Sequence, residues 1–122
     1  MRSTHPLPHE PSSAGLARAH VRAALADGWA SPERMEDAML LVTELIANAV
    51  IHGSPAVELD IEVDGAELLV RVRDGSVAPL RMPGEPGAGR GLGIVDTLAD
   101  RWGVEGVGGP QVGKAVWFEM KG

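Results

Sequence analysis

Two alternating runs stand on either side of Asp64-Gly65: Val57–Val63 reads VELDIEV, and Glu67–Arg73 reads ELLVRVR. Apolar and charged residues exchange places at each step, the period of a strand with one buried face. Asp-Gly between two such runs predicts an antiparallel hairpin. A hairpin of this kind has one wet face and one dry face, and the dry face needs a cover. Helical segments are available to supply it. Ser31-Pro32-Glu33 has the form of an N-cap followed by proline at the first helical position. Beyond it Ala38, Leu41, Val42, Leu45, Ile46, Ala49 and Val50 keep an i, i+3, i+4, i+7 spacing, and Gly53 ends the helix. An earlier helix is predicted from Ser12 or Ser13 to about Gly28, with Leu16, Ala19, Ala23 and Leu25 set against Arg18, Arg22 and Asp27. Leu92–Ala99 predicts a short third helix, Arg101–Val104 begins a strand, and Val112–Met120 returns as its partner. Residues 1–11 read as an arm or an edge segment, and residues 12–122 as a single domain. The predicted class is α+β: a two-layer sandwich, mostly antiparallel sheet, with helices packed on one face.

Composition narrows the function. A chain of 122 residues with 44% apolar residues can bury a real core. No apolar run approaches the roughly 20 residues that span a bilayer, and the Pro-rich start MRSTHPLPHEPSS has no apolar stretch of the signal-peptide kind. Without cysteine the chain has no disulfides, thiolate metal sites or thiol nucleophiles, which fits a cytoplasmic protein. A net charge of −6, with its arginines scattered singly, argues against nucleic acid as a partner.

Four stretches carry candidate chemistry. The segment GPQVGKA comes within one residue of a P-loop, but Ala115 lacks the hydroxyl for Mg²⁺ and a strand follows instead of a helix. GAGRGLG, residues 87–93, fits no frame of G-x-G-x-x-G. It does lead directly into a helix, whose first N–H groups are free and carry partial positive charge, so it suits a phosphate, with Arg90 adding charge-assisted hydrogen bonds. Asp74-Gly75-Ser76 follows an apolar strand. It is either a turn or a carboxylate able to accept from an amino group such as that of adenine. Finally, Glu44, Asn48 and His52 recur at i, i+4 within ELIANAVIHG and so share one helix face, each step drifting about 40°. A carboxylate one turn from an amide oxygen suits a hard cation or a general base beside one, although a solvated polar face is the ordinary alternative.

Taken in order, Glu-x3-Asn on a helix, Asp after a strand, and a Pro/Gly loop ending in GRGLGIV resemble the Bergerat-fold ATPases of the histidine-kinase, gyrase, Hsp90 and MutL superfamily. LLVTELIANAVIHG, RDGSVAPLR, GRGLGIVDTLADRWGV and GKAVWFEM are similar to the small bacterial anti-sigma-factor serine kinases within it. That resemblance implies that Asn48 coordinates Mg²⁺ on the nucleotide phosphates and Asp74 accepts the adenine amino hydrogen. Gly89, Arg90, Gly91, Leu92 and Gly93 would wrap the phosphates. Glu44 would act as the base on a partner's serine or threonine, with His52 structural. It further implies ATP and Mg²⁺ as cofactors. A sigma factor or a STAS-domain anti-anti-sigma protein is the implied partner, and a homodimer the implied assembly. The alternative is a nucleotide-binding interaction module without catalysis. Two departures stand out: Asp-Gly-Ser replaces the commoner Asp-x-Gly, and Ala115 stands where relatives carry a Thr expected to support Asp74. With neither a phosphoacceptor domain nor a transmembrane sensor in view, a self-phosphorylating histidine kinase is not expected to be the whole function.

Overall fold

The computed structural model describes residues 1–76, 81–86, 91–106 and 113–122. Among these, β1 (Arg2–Leu7), β2 (Val57–Asp64), β3 (Glu67–Asp74), β4 (Arg101–Glu105) and β5 (Lys114–Lys121) form one sheet. Its order is β1-β2-β3-β5-β4, and each neighbouring pair is antiparallel. Helices α1 (Ser13–Ala24), α2 (Pro32–Ala47) and α3 (Gly91–Leu98) complete the α+β sandwich expected from the sequence.

The hairpin forms with Asp64 paired to Glu67, which moves the two-residue turn to Gly65-Ala66. Gly65 takes a φ of +58°, the left-handed geometry that such turns require. Strand alternation then sorts the side chains. Ile61 lies opposite Val70, Val70 opposite Phe118, and Phe118 opposite Trp102, so one apolar row crosses four strands toward the helices. Leu59, Ile61, Val70 and Phe118 are fully buried. On the opposite face Asp60 accepts from Arg73 Nε and Thr4 Oγ1, both at 3.0 Å. The first segment of the chain is the edge strand of this sheet, running beside β2 from Arg2↔Glu62 to Leu7↔Val57.

Helix α2 follows its pattern closely. Ser31 Oγ accepts from Arg34 N–H at 3.2 Å, Pro32 occupies the first turn, and Ala38, Leu41, Val42, Leu45, Ile46 and Ala49 are all buried. The helix reaches Gly53 as expected, but its last five residues, Asn48–His52, are π-helical. Helix α1 corrects the sequence reading. Its buried stripe is Ser13, Ala17 and Val21, continued by Leu25, whereas Leu16, Ala19 and Ala23 face solvent. The four-residue spacing of 13, 17, 21 and 25 is as helical as the stripe expected. It won because small residues at 13 and 17 fit the dense interface, where Ser13 Oγ donates to the Pro8 carbonyl.

Two polar contacts fasten the periphery. Arg34 of α2 donates to both Asp100 oxygens at 2.8 Å and to the Lys121 carbonyl, while Lys121 N–H donates to Asp100 at 2.7 Å. The Arg34 hydrogen bonds, then the Lys121 N–H, hold the Asp100 carboxyl below its ordinary range. On the other side His5 of β1 stacks on His20 of α1, ring centroids 3.8 Å apart. Burial, then the charge of His20, pushes the His5 imidazole below its usual value.

Both depressed groups make acid unfavourable, in separate windows. The unfolded chain takes up a proton at His5 more readily than the folded one, so stability falls as pH drops below about 6.5. The Asp100 contribution is present above about pH 4 and lost as pH falls through its lowered folded value. Urea denaturation across this range should show two losses, the first absent in His5→Phe and the second in Asp100→Asn. At neutral pH Asp100→Asn should cost about 1 kcal/mol, solvent screening having reduced the charged hydrogen bonds.

Candidate functional site

The polar side of α2 emerges where the helix runs off the end of the sheet. Glu44 and Asn48 are half-buried there, and neither side chain has a hydrogen-bond partner among the described residues. A π-turn follows, the kind of local widening that recurs at functional sites. His52 is the last residue of this turn and is exposed. The Glu44 carboxylate rests against Gly91, the first residue of α3, where an added Cβ would stand 2.8 Å from Glu44 Oε2. The acid therefore meets the free N–H end of α3. Leu92 points into the core, and Gly93 has open space where a Cβ would be. Gly89 and Arg90 lie outside the described residues.

Asp74 is the last residue of β3 and is buried. Its Oδ1 accepts from Ser76 N–H at 2.7 Å and from Ser54 N–H at 3.3 Å. Its Oδ2 accepts from the Lys114 ammonium at 2.6 Å, with only 1–2% of either side chain exposed. Gly53, which ends the π-turn, lies directly on this carboxyl. A Cβ at 53 would come within 2.5 Å of Asp74 Cγ, so only glycine lets α2 close onto the strand here. Strand β3 ends at the same corner of the sheet as α2, because the hairpin register carries Asp74 beside the start of β5.

The register also corrects an expectation about Ala115. Asp74 pairs with Lys114, while Ala115 pairs with Arg73 and points to the other face of the sheet. A hydroxyl at position 115 would not reach Asp74, since neighbouring strand residues face opposite ways. Lys114 is the functional-site residue that the sequence reading missed. It falls within the incomplete P-loop match, yet counting the alternation back from the buried Phe118 and Val116 puts it on the Asp74 face.

A pocket of about 150 Å³ lies at this end of the sheet, lined by Arg73, Asp74, Glu105, Gly106, Gly113, Lys114 and Ala115; Arg73, Glu105 and Ala115 belong to the sheet face opposite the buried Asp74–Lys114 pair. It falls short of the roughly 300 Å³ at which small-molecule clefts begin. A larger concavity, about 830 Å³, lies at the hairpin end of the sheet among Arg34, Asp64, Glu67, Asp100 and Lys121. Its charged groups satisfy one another, as in Arg34–Asp100 and Lys121–Glu67, and none of the motif residues lines it.

An antiparallel sheet under three helices, with an acid-amide pair at a helix end, a buried carboxylate at a strand end and a glycine-opened helix, defines a class of nucleotide-handling domain. The chain belongs to the histidine kinase-like ATPase domain family, whose model matches residues 7–119. That membership supports an ATP-binding regulatory role. No curated protein matches the chain. No described helix is long and apolar enough to cross a membrane.

Breaking the buried pair has a calculable consequence. Lys114→Met or Asp74→Asn alone strands one buried polar partner and should cost about 3 kcal/mol. The double variant should cost clearly less than the sum, because neither charge is then left unpaired. Equilibrium urea denaturation of the four proteins measures the coupling.

Proposed function

We propose that this chain is an ATP-dependent serine/threonine protein kinase of the anti-sigma-factor type. In this reading it works in the cytoplasm by partner switching between a sigma factor and a STAS-domain anti-anti-sigma protein, which it phosphorylates. The observation that carries the reading is the state of Glu44: a half-buried carboxylate with no hydrogen-bond partner among the described residues, against the first residue of α3 and one turn from Asn48. A group that served only stability would be paired, whereas a base must be free to take a proton. Glu44 precedes Gly53 by nine residues, roughly 13 Å along a helix axis. An extended nucleoside triphosphate bridges that span, with its base at Asp74 and its terminal phosphate near Glu44.

In this mechanism Asp74 accepts from the exocyclic amino group of adenine. The N–H groups of Gly91, Leu92 and Gly93 at the start of α3 would take the phosphate oxygens, a role also proposed for Gly89 and Arg90, which lie outside the described residues. Glu44 orients the partner's hydroxyl and removes its proton as the oxygen attacks the terminal phosphorus, whose bond to the bridging oxygen breaks so that ADP leaves. Asn48 fits a cation that arrives with the phosphates, since its amide oxygen is uncommitted and Mg²⁺ commonly takes one or two protein ligands beside phosphate and water. Bound there, Mg²⁺ would neutralise charge on the phosphate oxygens. Phosphoryl transfer asks for little more than such positioning and neutralisation.

One observation favours a second reading, a nucleotide-binding interaction module without catalysis: the Asp74 carboxylate is already engaged by Lys114. Two measurements separate the readings. Mg-ATP at about 100 times its dissociation constant should raise stability by roughly 2.7 kcal/mol, several degrees in thermal shift, and Asp74→Asn should abolish the gain. Glu44→Ala should keep that shift while reducing phosphate transfer to a STAS-domain partner at least about 100-fold. Transfer undiminished in Glu44→Ala would remove the assigned base. Binding without any transfer in the wild type would leave the module.

A further inference from the structure

Ala49 follows Asn48 in the widened turn, and its carbonyl accepts from His9 Nε2 at 3.2 Å, forty positions away in the chain. A carbonyl oxygen can only accept, so Nε2 must carry a hydrogen. Carbonyls at a helix end run short of donors from their own helix. The donor that would continue the π-turn onto Ala49 is Ser54 N–H, five residues on, but it goes to Asp74 Oδ1 at 3.3 Å. His9 supplies one from outside the helix. A Cβ at Gly53 would stand 2.4 Å from this same carbonyl oxygen and 2.5 Å from Asp74 Cγ. The His9 bond therefore falls where the turn carrying Asn48 meets the end of the Asp74 strand.

His9 is itself held in place. Strand β1 ends at Leu7, paired with Val57, just before it. Pro8 and Pro11 restrict the backbone on either side. Ser13 Oγ donates to the Pro8 carbonyl, and Ser13 N–H to the Glu10 carbonyl at 3.0 Å. A side chain carried on so constrained a loop positions what it touches at little further ordering cost.

We propose that His9 is a positioning residue for the nucleotide site, fixing through the Ala49 carbonyl the turn from which Asn48 meets the phosphate-bound cation. It acts on backbone and touches no ligand. Its bond holds the peptide that follows Ala49, so the turn cannot rotate about its last residues and carry the Asn48 amide away. The first segment of the chain is then part of the site's support as well as an edge of the sheet. This inference rests on the ATP reading above and names what holds the cation's side chain in register.

The test is calorimetry of ADP with Mg²⁺ and with EDTA, on wild type, His9→Leu and His9→Gln, at a temperature where circular dichroism shows each folded. Leucine offers no donor, whereas the glutamine amide places an N–H close to where Nε2 lies. The gain in ADP affinity that Mg²⁺ confers on wild type should shrink about tenfold in His9→Leu, the low end of what loss of a group behind a metal ligand costs. It should return in His9→Gln. A purely structural peg would lower stability in His9→Leu and leave that gain unchanged, which would overturn the proposal with ATP binding intact. A loss that His9→Gln does not restore would overturn it too, since the ring's packing and not its N–H would then matter. Nitrogen NMR of wild type needs no variant to fold: Nε2 should carry its hydrogen, and an Nε2 without one would also overturn the proposal. If wild type binds no ADP under either condition, the ATP reading fails and this inference fails with it.

Discussion

The seating of α2 on the antiparallel sheet is the contact on which the rest depends. Leu41, Val42, Leu45 and Ile46 are buried with Ile61, Val70 and Phe118, and this single interface makes the dry face of the hairpin viable. The same helix carries the polar residues of the site, so packing fixes their position as well. A helix held along one stripe has no rotational freedom left. Once Leu45 and Ile46 are in the core, Glu44 is turned toward the start of α3. At Ala49 the helix is still buried, whereas Ile51 and His52 face solvent. The site lies at this exit from the core, where polar groups can be half-desolvated without being sealed.

The second organising element is electrostatic. Two opposite charges buried at 2.6 Å are a costly arrangement relative to an apolar pair of similar volume, because desolvation offsets much of their attraction. Stability alone therefore accounts poorly for Asp74 and Lys114. Their surroundings are built with care all the same. Two backbone N–H groups, from Ser54 and Ser76, converge on the other carboxylate oxygen, and Gly53 removes the side chain that would crowd it. A carboxylate so held is oriented before any ligand arrives, which lowers the ordering cost of recognition.

How far the chain could be read without its fold depended on the range of the interactions involved. The hairpin and α2 were legible because their signals are local and redundant: alternation on both arms, a turn dipeptide, an N-cap with proline, and a stripe repeated over several turns. The hairpin turn moved by one residue, to Gly65-Ala66, within the range that local rules leave open. Helix α1 was legible as a helix but its buried side was not, since Ala17 and Ala19 look alike in sequence and only the neighbouring surfaces choose between them. Glu44, Asn48 and Asp74 stood out as polar residues in apolar settings. Lys114 did not, because its meaning comes from a partner forty positions away.

By itself, then, the sequence determined the periodicities: which segments are helical, which alternate, and where each must stop. Those follow from bonding and sterics among near neighbours, and they imposed the α+β class with one covered face. Only the tertiary structure decided which residues of those segments meet. The strand register set Lys114 beside Asp74 and turned Ala115 away, and packing left His52 exposed at the end of the widened last turn while Asn48 stayed half-buried. The reason is physical: a one-residue change of register or turn width is nearly free in local energy but reverses what a side chain touches. Long-range packing alone can choose between such nearly equal local alternatives.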